Sequence, residues 1–576
     1  MENNKLKPSQ ERSWLKYYSK EAKESLPFDG SIYEAIYESN KDYPANVALI
    51  YNEEKITYKE LFDNIEAAAK ALKACGVQKG DIISVCIPST PESVYLLYAA
   101  SKIGAVANMI DVRSSAESIE HYIQEVDSKI VFVLDNIIEK IYYSLPYLNV
   151  KTLVKVNLVH QEKVEESQSV NNKKTIEVNY STFLEMGKLY LDDTFTPCKK
   201  EDPVVVEHTG GTTGIPKGVL LSNYAINMIA HHFIISDLKF TRDQKWLNIM
   251  PPFIAYGVGN GLHLPLVVGM SVIEVPVFQP EKIDELILKY DPNNFAGVPL
   301  HYETLIHSDK LDGYDFSKWV LAGVGGDSMD ISLEMEVNRF FKEHNANMSV
   351  IKGYGLTEVC AAATVSFCGS NKIGSVGIPF LHNNVGIFSI DDKDEELGIN
   401  ELGEICLTSP SMMIKYLNNE EETKKVLCKH SDGKIWLHSG DLGYIDEDGA
   451  LFVSGRLKRV IVRADGFKVP PFPIENVINS FEEVESCKVV AMPDIFHVQG
   501  FVPQANILLK KEARKNAPEI LEIIKKECIN KLADYQVPSD YCFVEEYPRT
   551  PIGKVDTAKM EELNKEKYPR LKRVRL

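Results

Sequence analysis

Closely spaced cysteines are absent from this chain of 576 residues. Its ten cysteines never form a C-x-x-C pair, and no Cys/His group has the spacing of a zinc site. A chain of this length can bury several hydrophobic cores, so it needs no disulfides for stability. We therefore expect a multidomain protein of a reducing, cytoplasmic compartment.

Long apolar runs are also missing. The most apolar stretch, 262–278, is interrupted by a histidine, two prolines, a serine and a glutamate. A membrane-spanning helix needs roughly 18 apolar residues in a row. Residues 1–27 are polar and lack the apolar core of a secretory signal. The sequence thus predicts a soluble chain without membrane insertion.

The chain has no excess of positive charge. Lys and Arg total 64 against 82 Asp and Glu, which gives a net charge of −18. This balance disfavours nonspecific binding to nucleic acid, because the surface repels phosphate backbones. An anionic ligand would need basic residues gathered locally. The apolar share of 44% and the charged share of 25% are those of an ordinary globular protein, which excludes wholesale disorder.

Strand and helix patterns alternate over most of the chain. Leu61, Ile65, Ala68 and Leu72 recur at three- and four-residue steps, which predicts a helix over 59–75. The other predicted elements of this kind are strands at 81–87, 105–110, 128–135, 246–250 and 319–322 and a helix at 92–102. The alternation predicts an α/β fold with parallel sheets covered by helices.

The pattern changes after about residue 373. Short strands separated by Gly, Pro, Asn and Asp predict a small β-rich subdomain over 373–453. The last segment mixes strands at 488–492 and 504–509 with a helix at 518–532, which indicates a separate α+β unit. The predicted division is a large domain at 1–454, a hinge at 455–458 and a small domain at 459–576.

The segment 208–218, HTGGTTGIPKG, has the composition of a phosphate-binding loop. Its glycines let backbone N–H groups turn toward phosphate oxygens, its threonines donate hydrogen bonds, and Lys217 adds a positive charge. Lys217 is followed by Gly218, so the spacing G-x-x-x-x-G-K-[ST] is not met. Composition alone leaves a flexible hairpin tip as the alternative.

Five further motifs accompany this loop, at 354–358 (YGLTE), 436–441 (WLHSGD), 455–458 (GRLK), 463–475 and 548–554 (PRTPIGK). In their order and separations, from about Tyr51 to Lys559, the chain resembles the adenylate-forming superfamily of acyl-CoA synthetases, luciferases and peptide-synthetase adenylation domains. The resemblance implies a large domain of doubly wound β/α subdomains with a β-barrel-like subdomain, followed by a smaller, mobile α+β domain.

The resemblance also implies that ATP, Mg²⁺ and coenzyme A are used. Lys217 would hold the β- and γ-phosphates with the loop threonines, Glu358 would bind Mg²⁺ and Thr357 would touch the α-phosphate. Asp441 would accept the ribose hydroxyls, and Arg456 would orient ribose and phosphate. The implied nucleotide-binding residues are Thr209, Gly211, Thr212, Thr213, Gly214, Lys217, Gly325, Gly326, Asp327, Tyr354, Gly355, Asp441 and Arg456.

The resemblance assigns three roles to the small domain. Lys554 matches the catalytic lysine that bridges the α-phosphate and the substrate carboxylate in the transition state. Lys458 matches the residue about which the small domain rotates between two half-reactions. After that rotation, Arg463 and Gly466 would line the tunnel for the pantetheine thiol.

The acyl pocket would include Phe253, Tyr256, Gly257, Val298 and Gly323. Small residues there leave either pocket space or ordinary close packing as interpretations. The stretch 253–257 contains no acidic residue, which argues against an amino-acid substrate. Ile254 stands where many relatives have His, and Gly210 where they have Ser; Tyr256 is a hypothetical substitute for that His.

A carboxylic acid ligated to coenzyme A is the favoured function. The alternatives are an acyl-AMP ligase that loads the pantetheine of a carrier protein, and a nucleotide-binding sensor that has lost catalysis. No nucleic-acid partner is expected. The sequence predicts neither the acid nor the oligomeric state.

Overall fold

The structure is a computed structural model that describes residues 6–158, 168–170, 174–209, 216–367, 369–464, 468–494, 500–549 and 555–567. Within these ranges, two nine-stranded sheets form the centre of the large domain. The inner strands of both sheets pair in parallel, whereas the edges are antiparallel. This arrangement confirms the predicted α/β class.

The first sheet contains, in spatial order, Ile378–Pro379, Thr364–Val365, Ile351–Tyr354, Leu321–Val324, Asn294–Gly297, Lys245–Asn248, Ser271–Glu274, Val47–Tyr51 and Glu54–Thr57. The second contains Lys415–Tyr416, Gly218–Ser222, Pro203–His208, Val106–Met109, Ile82–Cys86, Ile130–Leu134, Thr152–Val156, Thr175–Asn179 and Gln168–Val170. A continuous apolar core joins residues of both sheets.

Helices cover the sheets. Tyr58–Ala74 is the helix that the apolar period predicts, and it begins with a capping box between Thr57 and Glu60. It ends before Gly76, whose φ of +84° suits a residue without a side chain. The other α-helices are Pro8–Glu11, Lys20–Glu24, Ile32–Asn40, Pro91–Lys102, Ala116–Glu125, Ile138–Ser144, Tyr180–Gly187, Asn223–Ile234, Leu264–Val268, Ile283–Tyr290, Pro299–Ile306, Ile331–Glu343, Glu420–Val426, Pro471–Asn479, Ala517–Lys531 and Thr557–Lys567. Among the described residues, none of the helices has the length and apolarity that crossing a membrane requires.

A third sheet, with five antiparallel strands in the described part of the chain, follows the two large ones. Its strands are Asn384–Phe388, Gly403–Thr408, Leu427–Lys429, Ile435–Ile445 and Leu451–Arg456. The predicted β-rich region is therefore present, but Ile378–Pro379 pairs with the first large sheet instead. The third sheet begins at Asn384, because Gly and Pro mark strand ends without showing which sheet a strand joins.

The last part of the chain has its own core. In the described ranges, strands Val484–Pro493, Phe501–Leu509 and Asp540–Val544 form one sheet, against which helices Pro471–Asn479 and Ala517–Lys531 pack. A two-stranded ladder, Ile461–Val462 with Lys468–Val469, precedes this unit. The division of the chain at 455–458 stays a prediction.

Residues 8–18, which we call the N-terminal strap, lie against the third sheet. The Arg12 guanidinium donates to the carbonyl of Leu381 at 3.0 Å. The Lys16 ammonium donates to the Asp448 carboxylate at 2.6 Å. These contacts join parts of the chain that are 369 and 432 residues apart in sequence.

Candidate active site

Lys217 lies at the base of the predicted phosphate loop. Strands Pro203–His208 and Gly218–Ser222 pair antiparallel, with Gly218 opposite His208. The Thr209 N–H donates to the Lys217 carbonyl at 3.0 Å, and the Lys217 N–H donates to Thr209 Oγ1 at 3.3 Å. The hairpin thus holds both ends of the loop. Gly210, Gly211, Thr212, Thr213 and Gly214 lie outside the described residues.

A chain of polar contacts connects Lys217 with Glu358. The Lys217 ammonium lies 2.5 Å from Glu422 Oε2 and 4.7 Å from the centre of the Tyr416 ring. The Tyr416 hydroxyl donates to Glu358 Oε1 at 2.6 Å. Thr357 and Glu358 lie in the short 3₁₀ helix Thr357–Val359, directly after a strand of the first sheet. Residues predicted to bind phosphate and Mg²⁺ are therefore linked through one tyrosine.

Asp441 is the centre of a second cluster. The residue is 4% exposed, and its carboxylate accepts a hydrogen bond from the Tyr354 hydroxyl at 2.7 Å. The Arg456 Nε lies 2.8 Å from its other oxygen. Burial raises the pKa of Asp441, and the positive charge of Arg456 opposes that rise. Gly355, the residue after Tyr354, is closely packed, because a Cβ there would lie 1.6 Å from the Ala361 carbonyl oxygen.

A buried acid supports the backbone before Asp441. Glu404 accepts from the Gly440 N–H at 3.0 Å and lies 2.8 Å from His438 Nδ1. Donor atoms of Glu404, Cys406 and His438 all lie within 4.8 Å of one another, an arrangement that could hold a metal ion. Since Glu404 already binds Gly440 and His438, we interpret the cluster as a support for the turn that presents Asp441.

Gly325, Gly326 and Asp327 follow the carboxyl end of a central parallel strand, Leu321–Val324. Ligands of open α/β sheets bind at such ends. Gly326 has a φ of +77°, which favours glycine. The Tyr256 hydroxyl points to the same edge, where it lies 3.5 Å from the carbonyl oxygen of Gly297. The segment predicted to enclose adenine and one predicted pocket residue therefore meet at this edge.

The other predicted pocket residues differ in what their size permits. A Cβ on Gly257 would lie 1.9 Å from the Pro251 carbonyl oxygen, so the small side chain at 257 serves close packing. A Cβ on Gly323 would be at an ordinary 3.5 Å from Ala296. Phe253 is 5% exposed and stacks under the Arg113 guanidinium at 5.4 Å. The remaining pocket residue, Val298, is the N-cap of helix Pro299–Ile306.

Glu207 lies just before the predicted phosphate loop, and the sequence motifs assign it no role. Its side chain is fully buried, and neither carboxylate oxygen has a hydrogen-bond partner among the residues that the structure describes. Burial raises its pKa well above the usual range. Burial also lowers the pKa of the next residue, His208, to about 3, and the Nε2–H of that ring donates to Asn108 Oδ1 at 2.7 Å. The sequence signal for this buried acid is the presence of a glutamate within the apolar run PVVVEH.

The structure describes some of the residues that are predicted to act in the small domain. Lys458 is the middle residue of a 3₁₀ turn, Leu457–Arg459. The Arg463 guanidinium donates to the Tyr535 carbonyl at 3.5 Å. Gly466 and Lys554 lie outside the described residues, although Arg549 and Val555 on either side of Lys554 pair in an antiparallel bridge.

Sequence-profile comparison matches two consecutive domains. The profile "AMP-binding enzyme" matches residues 36–417, and "AMP-binding enzyme C-terminal domain" matches residues 473–554. The chain is 28% identical over 566 residues to a long-chain-fatty-acid–CoA ligase of Bacillus subtilis (strain 168), covering 95% of this chain and 97% of the relative. It is 29% identical over 524 residues to a probable 4-coumarate–CoA ligase of Dictyostelium discoideum, covering 88% and 91%.

A solved structure shares the fold. The crystal structure of the anthranilate CoA ligase AuaEII in complex with anthranoyl-AMP superposes with a TM-score of 0.79 at 21% identity. The superposition covers 95% of this chain and 99% of that chain. With two successive family profiles and this fold, the chain belongs to the AMP-binding enzyme family.

Proposed function

We propose that this chain is an acid–thiol ligase that activates a carboxylic acid with ATP and transfers the acyl group to coenzyme A. The observation that carries the proposal is the connection between distant motif residues. Lys217, Tyr354, Glu358, Asp441 and Arg456 come from four motifs, yet contacts join them into two clusters, with Tyr416 linking Lys217 to Glu358. The charge of Glu358 also acts on Asp441, which indicates that the clusters are close.

In the first half-reaction, a substrate carboxylate oxygen attacks the α-phosphorus, and the bond from that phosphorus to the pyrophosphate oxygen breaks. Two anions meet in this step, so the protein must neutralise charge and align the attack. Lys217 would neutralise the departing phosphates. Mg²⁺, when bound to Glu358 and phosphate oxygens, supplies further positive charge, and Glu358 fits this role because Tyr416 occupies one of its oxygens only.

Asp441 would hold the ribose. An ionised carboxylate offers about four acceptor positions. Tyr354 and Arg456 each use one of them on separate oxygens, so two remain for a pair of ribose hydroxyls. The buried position keeps water away from these hydrogen bonds, while Glu404 holds the preceding turn. The residues present therefore fit a nucleotide.

In the second half-reaction, a thiol sulfur attacks the acyl carbon and AMP leaves. By family similarity, Lys554 acts in the first step and leaves when the small domain rotates about Lys458. Arg463 and Gly466 would then face the pantetheine. The 3₁₀ turn Leu457–Arg459, in which Lys458 is exposed, is short enough for a few backbone angles to change without breaking a sheet.

The acid is proposed to have an apolar body. The stretch 253–257 carries no acidic residue for an α-ammonium group, and Phe253, Tyr256 and Val298 offer apolar surface. The relatives named above act on a fatty acid and an aromatic acid, and this chain spans nearly their whole length. Coenzyme A is the proposed acceptor, with carrier-protein pantetheine as the competing one.

The test is exchange of labelled pyrophosphate into ATP with a panel of fatty and aromatic acids, followed by mass spectrometry of thioester products. We expect acid-dependent exchange and a CoA thioester. A thioester formed on a carrier protein alone would replace the proposed acceptor. Absence of exchange with every acid would favour the nucleotide-sensor alternative.

Lys554→Ala separates the two half-reactions. Because Lys554 would act in adenylation alone, we expect exchange to fall about 100-fold or more while thioester formation from preformed acyl-AMP stays near wild type. Lys559→Ala, in the following helix, is the matched control and should leave both rates unchanged. Equal loss of both half-reactions in Lys554→Ala would contradict the assigned role.

A further inference from the structure

Lys217 is paired with an acidic side chain in the structure. Its ammonium lies 2.5 Å from Glu422 Oε2, and both side chains are about one-third exposed, 33% and 31%. Glu422 lies in the first turn of helix Glu420–Val426, and its N–H donates to the side chain of the N-cap Asn419 at 3.1 Å. The helix start therefore fixes this carboxylate opposite the lysine.

The pair restricts what else Lys217 can bind. An ammonium has three N–H donors, of which Glu422 takes one, and the Tyr416 ring covers another side. Hydrogen bonds from Lys217 and then Lys425 lower the pKa of Glu422 to about 2, so the carboxylate is charged at neutral pH. A phosphate group that approaches Lys217 must displace this carboxylate or accept a like charge beside it.

We propose that Glu422 competes with the phosphates of ATP and with pyrophosphate for Lys217, and thereby weakens the binding of both. This inference rests on the proposed function, since it takes Lys217 as a phosphate ligand. Pyrophosphate has no ribose or base to anchor it elsewhere, so the competition should affect it more than ATP. The carboxylate would then speed release of pyrophosphate and oppose reversal of adenylate formation.

Glu421 provides a matched control on the same helix. The Lys425 ammonium lies 3.0 Å from Glu421 and 2.7 Å from Glu422, so each acid is a partner of Lys425. Glu421→Gln and Glu422→Gln remove the same charge, and each takes one of its two acidic partners from Lys425. They differ in the contact with Lys217. A difference between the two variants therefore reports on that contact and not on net charge.

The experiment is calorimetric titration of the full chain with magnesium pyrophosphate and with MgATP. We expect Glu422→Gln to bind pyrophosphate about two- to fivefold more tightly than Glu421→Gln, the range that a partly exposed ion pair allows. In a Lys217→Gln background the difference should vanish. Thermal unfolding of each variant verifies that it is folded.

The outcomes separate this inference from the proposed function. If Lys217→Gln loses affinity for pyrophosphate while Glu422→Gln and Glu421→Gln bind it equally, the competition is refuted and the phosphate role of Lys217 stands. If Lys217→Gln binds pyrophosphate like the wild type, both the phosphate role and the competition are wrong.

Discussion

At the scale of single residues, each of the two candidate clusters is held together by one side chain that contacts two others. Tyr416 contacts both Lys217 and Glu358, and Asp441 contacts both Tyr354 and Arg456. A shared partner fixes the distance between groups that belong to different motifs. The loss of Tyr416 or Asp441 would therefore disturb geometry as well as binding.

Glu274 is a buried acid away from these clusters, and it makes stability depend on pH. It is 5% exposed, accepts hydrogen bonds from Asn248 Nδ2 at 3.3 and 3.2 Å, and has a pKa that burial raises to about 8. The folded chain thus holds this proton more tightly than the unfolded chain. As pH rises from about 4.5 to about 8, Glu274 lowers the free energy of unfolding by up to roughly 1.4 kcal/mol per pH unit.

Glu274→Gln should remove this pH dependence. The amide can stay neutral and can donate to Asn248 Oδ1, which has no partner among the described residues. We expect the variant to be more stable than wild type at pH 7 and little different at pH 4.5, measured by urea unfolding at both values. The exposed Glu281→Gln serves as control. Equal pH profiles for Glu274→Gln and wild type would contradict a proton held by Glu274.

At the scale of elements, the π-helix Tyr256–His263 joins the predicted acyl pocket to the core. Wide helical turns of this kind are rare and need close packing to persist. Gly257 permits the backbone approach of Pro251, whereas Gly259 has ordinary space, with the nearest atoms at 3.5 Å from a Cβ. The two glycine positions of this one element therefore differ in whether they can accept a side chain.

Gly257→Ala should destabilise the protein by about 1–3 kcal/mol or more, because the added carbon would overlap the Pro251 carbonyl oxygen. Gly259→Ala should change stability by less than about 1 kcal/mol. Chemical unfolding of both variants measures the difference. Equal stability of the two would show that the segment relaxes freely, and packing would no longer explain the glycine at 257.

At the scale of the whole molecule, the proposed rotation between half-reactions depends on the turn at 457–459. Lys458→Pro fixes φ at 458 near −65° and limits rotation there. We expect labelled pyrophosphate exchange to stay within about threefold of wild type and thioester formation to fall about tenfold or more. Lys458→Ala is the control, since it removes the side chain and leaves the backbone free. Unchanged thioester formation in Lys458→Pro would contradict the hinge assignment.

Local patterns were sufficient for the fold class and for most elements. The helix Tyr58–Ala74 could be predicted because its apolar period and its cap agree. The strand expected at 319–322 lies at Leu321–Val324, because the Trp319 N–H closes a turn onto Phe316. The local sequence carries few signals for the first residue of a strand in a parallel sheet. The predicted start of such a strand can therefore differ from the observed one.

The motifs also predicted the family, which is confirmed, whereas the roles of individual site residues stay predictions. Tyr416, Glu422 and Glu404 were missed for a physical reason. Glu422 meets a lysine 205 residues away, and Tyr416 meets an acid 58 residues away, through strand pairing that no local pattern specifies. The role of a carboxylate near the site can be inferred only when the sheet order is known, because the sheet order determines which residues it contacts.

The N-terminal strap has a consequence for biosynthesis. Arg12 leaves the ribosome some 369 residues before its partner Leu381, which at about 5–20 residues per second means a wait on the order of tens of seconds. During that interval the surfaces that the strap and the third sheet later cover in each other remain available to chaperones or to neighbouring nascent chains. Slow or heat-stressed translation should therefore harm the yield of this protein before it harms the finished molecule.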